Sequence, residues 1–299
     1  MIINYLGELL AVATSFCWAA SSVFYTYGGA RIGAMVVNSS RLLFSVVILA
    51  TLHFFVYETF LPWQAEAFRW GWLAVSAILG LAIGDGLLIQ AFVWIGPRLS
   101  SLMMSAVPIF SLILSWLIFG ETINGQEAFG IALTVAGIAW VVSERRSEEV
   151  TVINKQYGWG ILCGLGAALG QASGLVTAKF ALTDDFPAFS ATLMRMIAAT
   201  AVLWSFALAR GQVGFIIKQW QHRTALAATV AGTITGPVVG VWFSLLAIQL
   251  ARIGIASTLM SLTPIILIPV AYFLYKERIT VRGILGTLVT LIGVGLIFL

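Results

Sequence analysis

Charge is scarce in this chain. Only 9% of its 299 residues are Asp, Glu, Lys or Arg, against roughly 25% in a soluble globular domain, so a water-facing surface cannot be built from it. Histidine is scarcer still: His53 and His222 stand far apart, which excludes a helical zinc-protease motif. The two cysteines, Cys17 and Cys163, lie in apolar runs without CxxC spacing, so neither a disulfide framework nor a metal site is expected. Basic residues never alternate with aromatics in a patch, which removes nucleic acid as a partner. The net charge of +4 comes from Lys and Arg between the apolar runs, suited to anionic lipid. No Lys or Arg precedes Arg31, so the start lacks the basic region of a cleaved secretory leader, and the first run is expected to stay as a helix. Nothing calls for a cofactor.

What fills the chain instead is apolar, 60% of it. A helix needs about 20 such residues to cross the hydrocarbon core. Ten runs qualify, at roughly 5 to 27, 33 to 57, 70 to 94, 98 to 119, 125 to 143, 158 to 179, 186 to 209, 224 to 249, 254 to 275 and 281 to 299. They are continuous rather than alternating, which excludes a β-barrel. The expected class is an all-α integral membrane protein in a lipid bilayer. The stretches 58 to 69 and 210 to 223 read as loops whose Phe60, Trp63 and Trp220 anchor at the interface. Asn124 and Thr280 are expected to cap the helices that follow them, with Glu121 and Glu277 three residues earlier, near the positive helix ends.

The second half of the chain repeats the first. Met104-Ser105-Ala106-Val107-Pro108 is answered by Met260-Ser261-Leu262-Thr263-Pro264, a shift of 156 that also pairs Ser101 with Ser257 and Gly137 with Gly293. Arg41 pairs with Arg195 at a shift of 154, and Ser22 with Ser173 at 151. The expected units are residues 1–143 and 157–299, joined by a charged linker at 144–156. Five helices per unit is an odd number, so the second unit should enter the membrane inverted, giving ten transmembrane helices in two inverted five-helix repeats around a central cavity. Counting Lys and Arg by side puts Arg31, Arg98, Arg145 and Arg146 in the cytoplasm and both chain ends outside.

Few residues in such spans are polar. Asp85, within Gly84-Asp85-Gly86, is the one carboxylate near the middle of a span, and Val241 holds the equivalent place. A charge there costs roughly 2.5–3.5 kcal/mol on insertion scales, so it needs a partner or water. Arg41 is the expected partner: each lies about nine residues, or roughly 13–14 Å, from the same side. The alternative is that Asp85 takes up a proton in exchange for substrate. Arg195 has no obvious carboxylate; snorkelling, carbonyl contacts and an anionic substrate group remain open. Pro108 and Pro264 fall mid-span, where each is expected to kink its helix, with Ser105 and Ser261 on the same faces. Trp18, Ser22 and Tyr25 form one stripe on the first helix, and Trp242 shares a face with Thr235 and Gln249 on the eighth. These residues, with Ser173, Asp85 and the two prolines, are the candidate cavity lining, although packing explains each of them as well. The glycines at 80 and 84, and at 232, 236 and 240, read as points of close helix approach.

With Arg41 and Arg195, Pro108 and Pro264, and Gly120-Glu121 answered by Lys276-Glu277, the chain resembles the EamA branch of the drug/metabolite transporter superfamily along nearly its whole length. The resemblance implies two inverted five-helix units around a central cavity and the export of amino acids, other small metabolites or toxic amphipaths. Related small multidrug resistance proteins couple to protons through a Glu in the first helix, but Glu8 lies too near its helix end to inherit that role. The expected function is a non-enzymatic secondary exporter of small metabolites in the bacterial cytoplasmic membrane, working by alternating access, with proton coupling open and no oligomer required. Efflux of amphipathic cations is the alternative, ahead of a passive channel or scramblase. An intramembrane aspartyl protease would need a second facing Asp, and Asp184 and Asp185 are in a loop.

Overall fold

The computed structural model describes residues 5–119, 124–148, 155–183, 186–250, 259–276 and 280–298, and it is helical almost throughout. Helix is what apolar runs must adopt in lipid, where each backbone N–H has to find its acceptor inside the segment. In chain order the elements are α1 (Leu6–Ile32), α2 (Ala34–Tyr57), α3 (Ala67–Ala77), a π-helical segment (Ile78–Gly84), α4 (Asp85–Met103), a 3₁₀ turn (Met104–Ala106), α5 (Val107–Phe119) and α6 (Gly125–Glu148). The second half continues with α7 (Lys155–Lys179), α8 (Ala188–Ala209), α9 (Val213–Gln219), α10 (Arg223–Thr233), a second π-helical segment (Ile234–Gly240), α11 (Val241–Leu250), α12 (Thr263–Tyr275) and α13 (Val281–Phe298).

Six helical runs are long and apolar enough to cross a membrane, and three shorter apolar helices, Gly125–Val141, Thr263–Leu274 and Val281–Leu296, accompany them. The longest run, Ala67–Ile118, has 52 residues, enough for two crossings. Gly96, at φ 80° and ψ 161°, breaks α4; glycine takes that conformation without a Cβ penalty, and Pro97 restarts the helix where its missing N–H has no acceptor to lose. Six runs, one of them divided, plus three give ten segments among the described residues.

Local chemistry sets the ends. Asn124 opens α6 with a reciprocal cap: the Glu127 N–H donates to Asn124 Oδ1 at 2.8 Å and the Asn124 N–H to Glu127 Oε2 at 2.7 Å. Thr280 opens α13 by accepting the Gly283 N–H at 3.0 Å. Glu121, Glu277, Ser257, Asp184 and Asp185, linker residues 149–154 and the Gln249 side chain lie outside what is described. Of the linker read at 144–156, α6 takes the residues up to Glu148 and α7 those from Lys155.

Two sequence expectations need correction. Pro108 and Pro264 do not kink continuous helices: each stands in the first turn of a new one, after the 3₁₀ turn Met104–Ala106 and the turn at 261–262 respectively. The break comes before the proline because a first-turn residue needs no in-helix acceptor for its N–H. Trp220 is not an interfacial anchor. The stretch read as a loop contains α9, which buries Ile216 and turns Trp220 inward, where its Nε1–H donates to Ser40 Oγ at 2.8 Å beside Phe44 and Trp204. A partner hydroxyl within the protein satisfies the indole as water would. Phe60 and Trp63 remain exposed.

The halves interlock. α1 lies against α10, the second π segment and α11, while α7 lies against α3, the first π segment and α4; α2 meets α8, and α6 meets α13. The crossings are antiparallel and glycine-lined. A Cβ at Gly232, Gly236 or Gly240 would meet Tyr25, Ser21 or Trp18, so contacts climb one helix as they descend the other. Likewise Gly174 faces Gly80 and Gly170 faces Gly84. α6 and α13 touch reciprocally: a Cβ at Gly137 would meet Thr290, and one at Gly293 would meet Thr134, the residue 156 before Thr290. Such reciprocity marks a local two-fold relation. At the start of α3, Arg69 Nη1 donates to the carbonyls of Ala181 at 2.7 Å and Thr183 at 2.8 Å while its Nε pairs with Glu66, tying the third span to the turn after α7.

Candidate functional site

The two π-helical segments organise the site. They are seven residues each and stand 156 apart, so the repeat extends to the same backbone defect in both halves. A π turn pairs each N–H with the carbonyl five residues back, and at its end the register shifts, leaving a carbonyl without an in-helix donor. In the second half Pro237 sharpens this, because in π register it would serve Gly232 and has no N–H to give. The Tyr25 hydroxyl supplies the donor instead, reaching the Gly232 carbonyl at 2.7 Å. Tyr25→Phe is therefore expected to cost about 1 kcal/mol in thermal unfolding, since Thr235 Oγ1, at 3.4 Å from the same oxygen, recovers only part of the bond. In the first half Asn38 plays the corresponding part: its Nδ2 donates to the carbonyls of Leu81 at 3.3 Å and Ala82 at 3.1 Å.

Asp85 is the first residue after the first π segment, and it faces α2. Arg41 Nη2 donates to Asp85 Oδ2 at 2.6 Å, forming the ion pair that the matched depths suggest. Arg41 Nε donates to Asn38 Oδ1 at 2.8 Å, and its guanidinium stands 5.4 Å from the Tyr25 ring centroid. The second carboxylate oxygen accepts from Gln171 Nε2 on α7 at 2.6 Å. Asp85 thus ties α4, α2 and α7 together across the two halves. Arg195, on α8, closes the group. A Cβ at Gly80 would lie 3.3 Å from its Nη2 and 3.5 Å from Gln171 Oε1. Exposure is 3% for Arg41, 8% for Asp85 and 3% for Arg195, so three charges are held out of water.

Of the residues singled out in the sequence, the structure gathers Tyr25, Arg41, Asp85 and Arg195 into this cluster. Trp18 lies beside Gly240, and Ser22 bonds back to the Ala19 carbonyl at 2.7 Å in its own helix. Ser173 does the same with Leu169 at 2.8 Å. Trp242 packs edge-on against Phe189 with ring centroids 5.2 Å apart. Ser105, Pro108 and Pro264 are buried, and Ser261 is half-buried at the turn before α12. Sequence reasoning missed Asn38 and Gln171. Asn38 stands one turn before Arg41 on the same face, a signal that was available. Gln171 is an isolated amide in an apolar run, and only the crossing of α7 with the third span shows what it faces.

A family model for EamA-like transporters matches residues 5–143 and again 158–299. The chain belongs to the EamA-like transporter family. It is an integral membrane transporter of the drug/metabolite superfamily, with a small-molecule substrate and the bilayer as its surroundings. An uncharacterized transporter of Haemophilus influenzae is 23% identical over 180 residues, 58% of each chain. The uncharacterized transporter YoaV of Bacillus subtilis is 22% identical over 286 residues, 95% of this chain and 93% of its own. A crystal structure 17% identical in sequence shares the fold with a TM-score of 0.62, covering 97% of this EamA-like chain and 95% of its own.

Proposed function

We propose that this EamA-like protein is a secondary exporter of small metabolites, amino acids among them, working by alternating access. Residues 1–143 and 157–299 act as two units, inserted in opposite senses and joined through 144–156. The observation that carries the reading is the pair of π-helical segments at equivalent places, each in the third span of one half and packed on the first helix of the other. Interrupted helices at a repeat interface near mid-membrane are where repeat-built carriers hold solute. The antiparallel contact of α6 with α13, which hold the same place in their halves, supports opposite insertion. The charge count supports a cytoplasmic face at Arg31 and Arg98 and both ends outside, in a bacterial cytoplasmic membrane. The cavity that opens during the cycle is lined from Trp18, Ser22, Tyr25, Ser105, Ser173, Trp242 and Ser261. The restarts at Pro108 and Pro264 let the adjoining helices bend.

The test is uptake of labelled amino acids into proteoliposomes with and without a pH gradient, for the wild type and Asp85→Asn. Saturable uptake is expected. Asp85→Asn should lower it at least about tenfold by loosening the joint between α2, α4 and α7, a loss of roughly 1.4 kcal/mol or more in barrier terms. Gradient acceleration seen only in the wild type would make Asp85 the coupling group. Flux that rises linearly with concentration would replace the carrier with a channel.

A further inference from the structure

Arg195 occupies the place in the second half that Arg41 occupies in the first, yet it has none of Arg41's partners. Asn38 becomes Thr192, whose hydroxyl bonds back to Ala188 at 2.8 Å, and Asp85 becomes Val241. Arg195 makes no hydrogen bond among the described residues, and its buried Nε has no acceptor. The one nearby carboxylate among the described residues already receives Arg41 on one oxygen and Gln171 on the other. The cluster therefore holds two guanidinium groups and one carboxylate, a net charge of +1 in a nearly dry interior. An arginine does not shed its proton to escape this, and an unpaired buried charge is strongly unfavourable.

We infer that Arg195 is an anion subsite of the transport pathway, binding the carboxylate of a small solute that enters beside Gly80 and Gln171. The guanidinium fork matches a carboxylate with two parallel N–H donors. Gln171 Oε1 at this point is an acceptor and its Nε2 donates to Asp85, so the hydrogen bonds to a carboxylate come from Arg195, whose Nη2 the missing side chain at Gly80 lets lie close to the third span. A bound carboxylate brings the cluster to neutrality, and a bound cation raises it to +2, so cationic amphipaths are selected against. The assignment rests on the carrier reading for how solute reaches the site, but binding is measured without transport.

The experiment is thermal unfolding of the purified protein in nanodiscs, titrated with sodium acetate and sodium benzoate against acetamide, benzamide and sodium chloride. A saturable rise in melting temperature with the carboxylates, absent with the amides and with chloride, is expected for the wild type. Arg195→Gln should weaken carboxylate binding roughly 10- to 100-fold. It should also raise the melting temperature without ligand, because it removes an uncompensated charge; a purely structural arginine would lower it. Arg195→Lys should keep the preference for acid over amide at reduced affinity. Equal shifts with acid and amide in the wild type would overturn the assignment without any variant. An equal shift with chloride would make the occupant an inorganic anion and overturn the organic carboxylate. If carboxylates bind in this way but no solute is carried saturably in proteoliposomes, the carrier reading fails and the subsite stands.

Discussion

Asp85→Asn should destabilise the protein by about 3 kcal/mol, and Arg41→Gln by a similar amount, because each leaves a charge of the buried cluster without its partner. The ion pair is short, 2.6 Å, and both members are nearly excluded from water. The double variant should recover part of the loss, with a coupling of about 1–3 kcal/mol in a double-mutant cycle. Equilibrium unfolding in mixed micelles measures all three. Additive losses would mean that the two side chains do not act as a pair. The recovery is incomplete for a structural reason: Arg41 also holds Asn38 Oδ1, and Asn38 in turn serves the carbonyls of Leu81 and Ala82. Losing the arginine therefore loosens the end of the first π segment as well.

The second large effect is expected at Gly170. A Cβ there would stand 2.8 Å from the Leu79 carbonyl oxygen and 2.9 Å from Gly84 Cα, backbone atoms on the facing span that cannot swing aside. Gly170→Leu should cost about 3 kcal/mol or more, at the upper end of overpacking penalties, and should abolish transport, since it pushes the neighbouring Gln171 away from Asp85. Gly158→Ala, on the same helix but with nothing within 4 Å, should be neutral or slightly stabilising. Equal melting temperatures for the two variants would show that α7 and the third span do not meet as described.

Depth arithmetic along two helices was enough to bring Arg41 and Asp85 to one level, because charges in a membrane have few alternatives. It was not enough for Arg195, Asn38 and Gln171. A shift of 154 places Arg195 by symmetry with Arg41, but it does not say that α8 and α7 bring Arg195 and Gln171 to Gly80. The serine and tryptophan stripes are less specific. Ser22 and Ser173 bond within their own helices and Trp242 lies on Phe189, so periodicity marks a face without naming what it meets. Trp220 was misplaced for the same reason, since an aromatic residue among charges looks the same whether it meets lipid headgroups or a serine one helix away.

The sequence by itself determined the class, the segments and the duplication. Apolar length, the scarcity of charge and a constant offset are properties of the chain alone, and a bilayer permits few structures to such a chain. Tertiary structure decided where the backbone departs from the α-helix and which polar groups answer it. A π turn leaves a carbonyl that survives burial only when a donor such as Tyr25 or Asn38 arrives from another helix, and that arrival is a fact of packing.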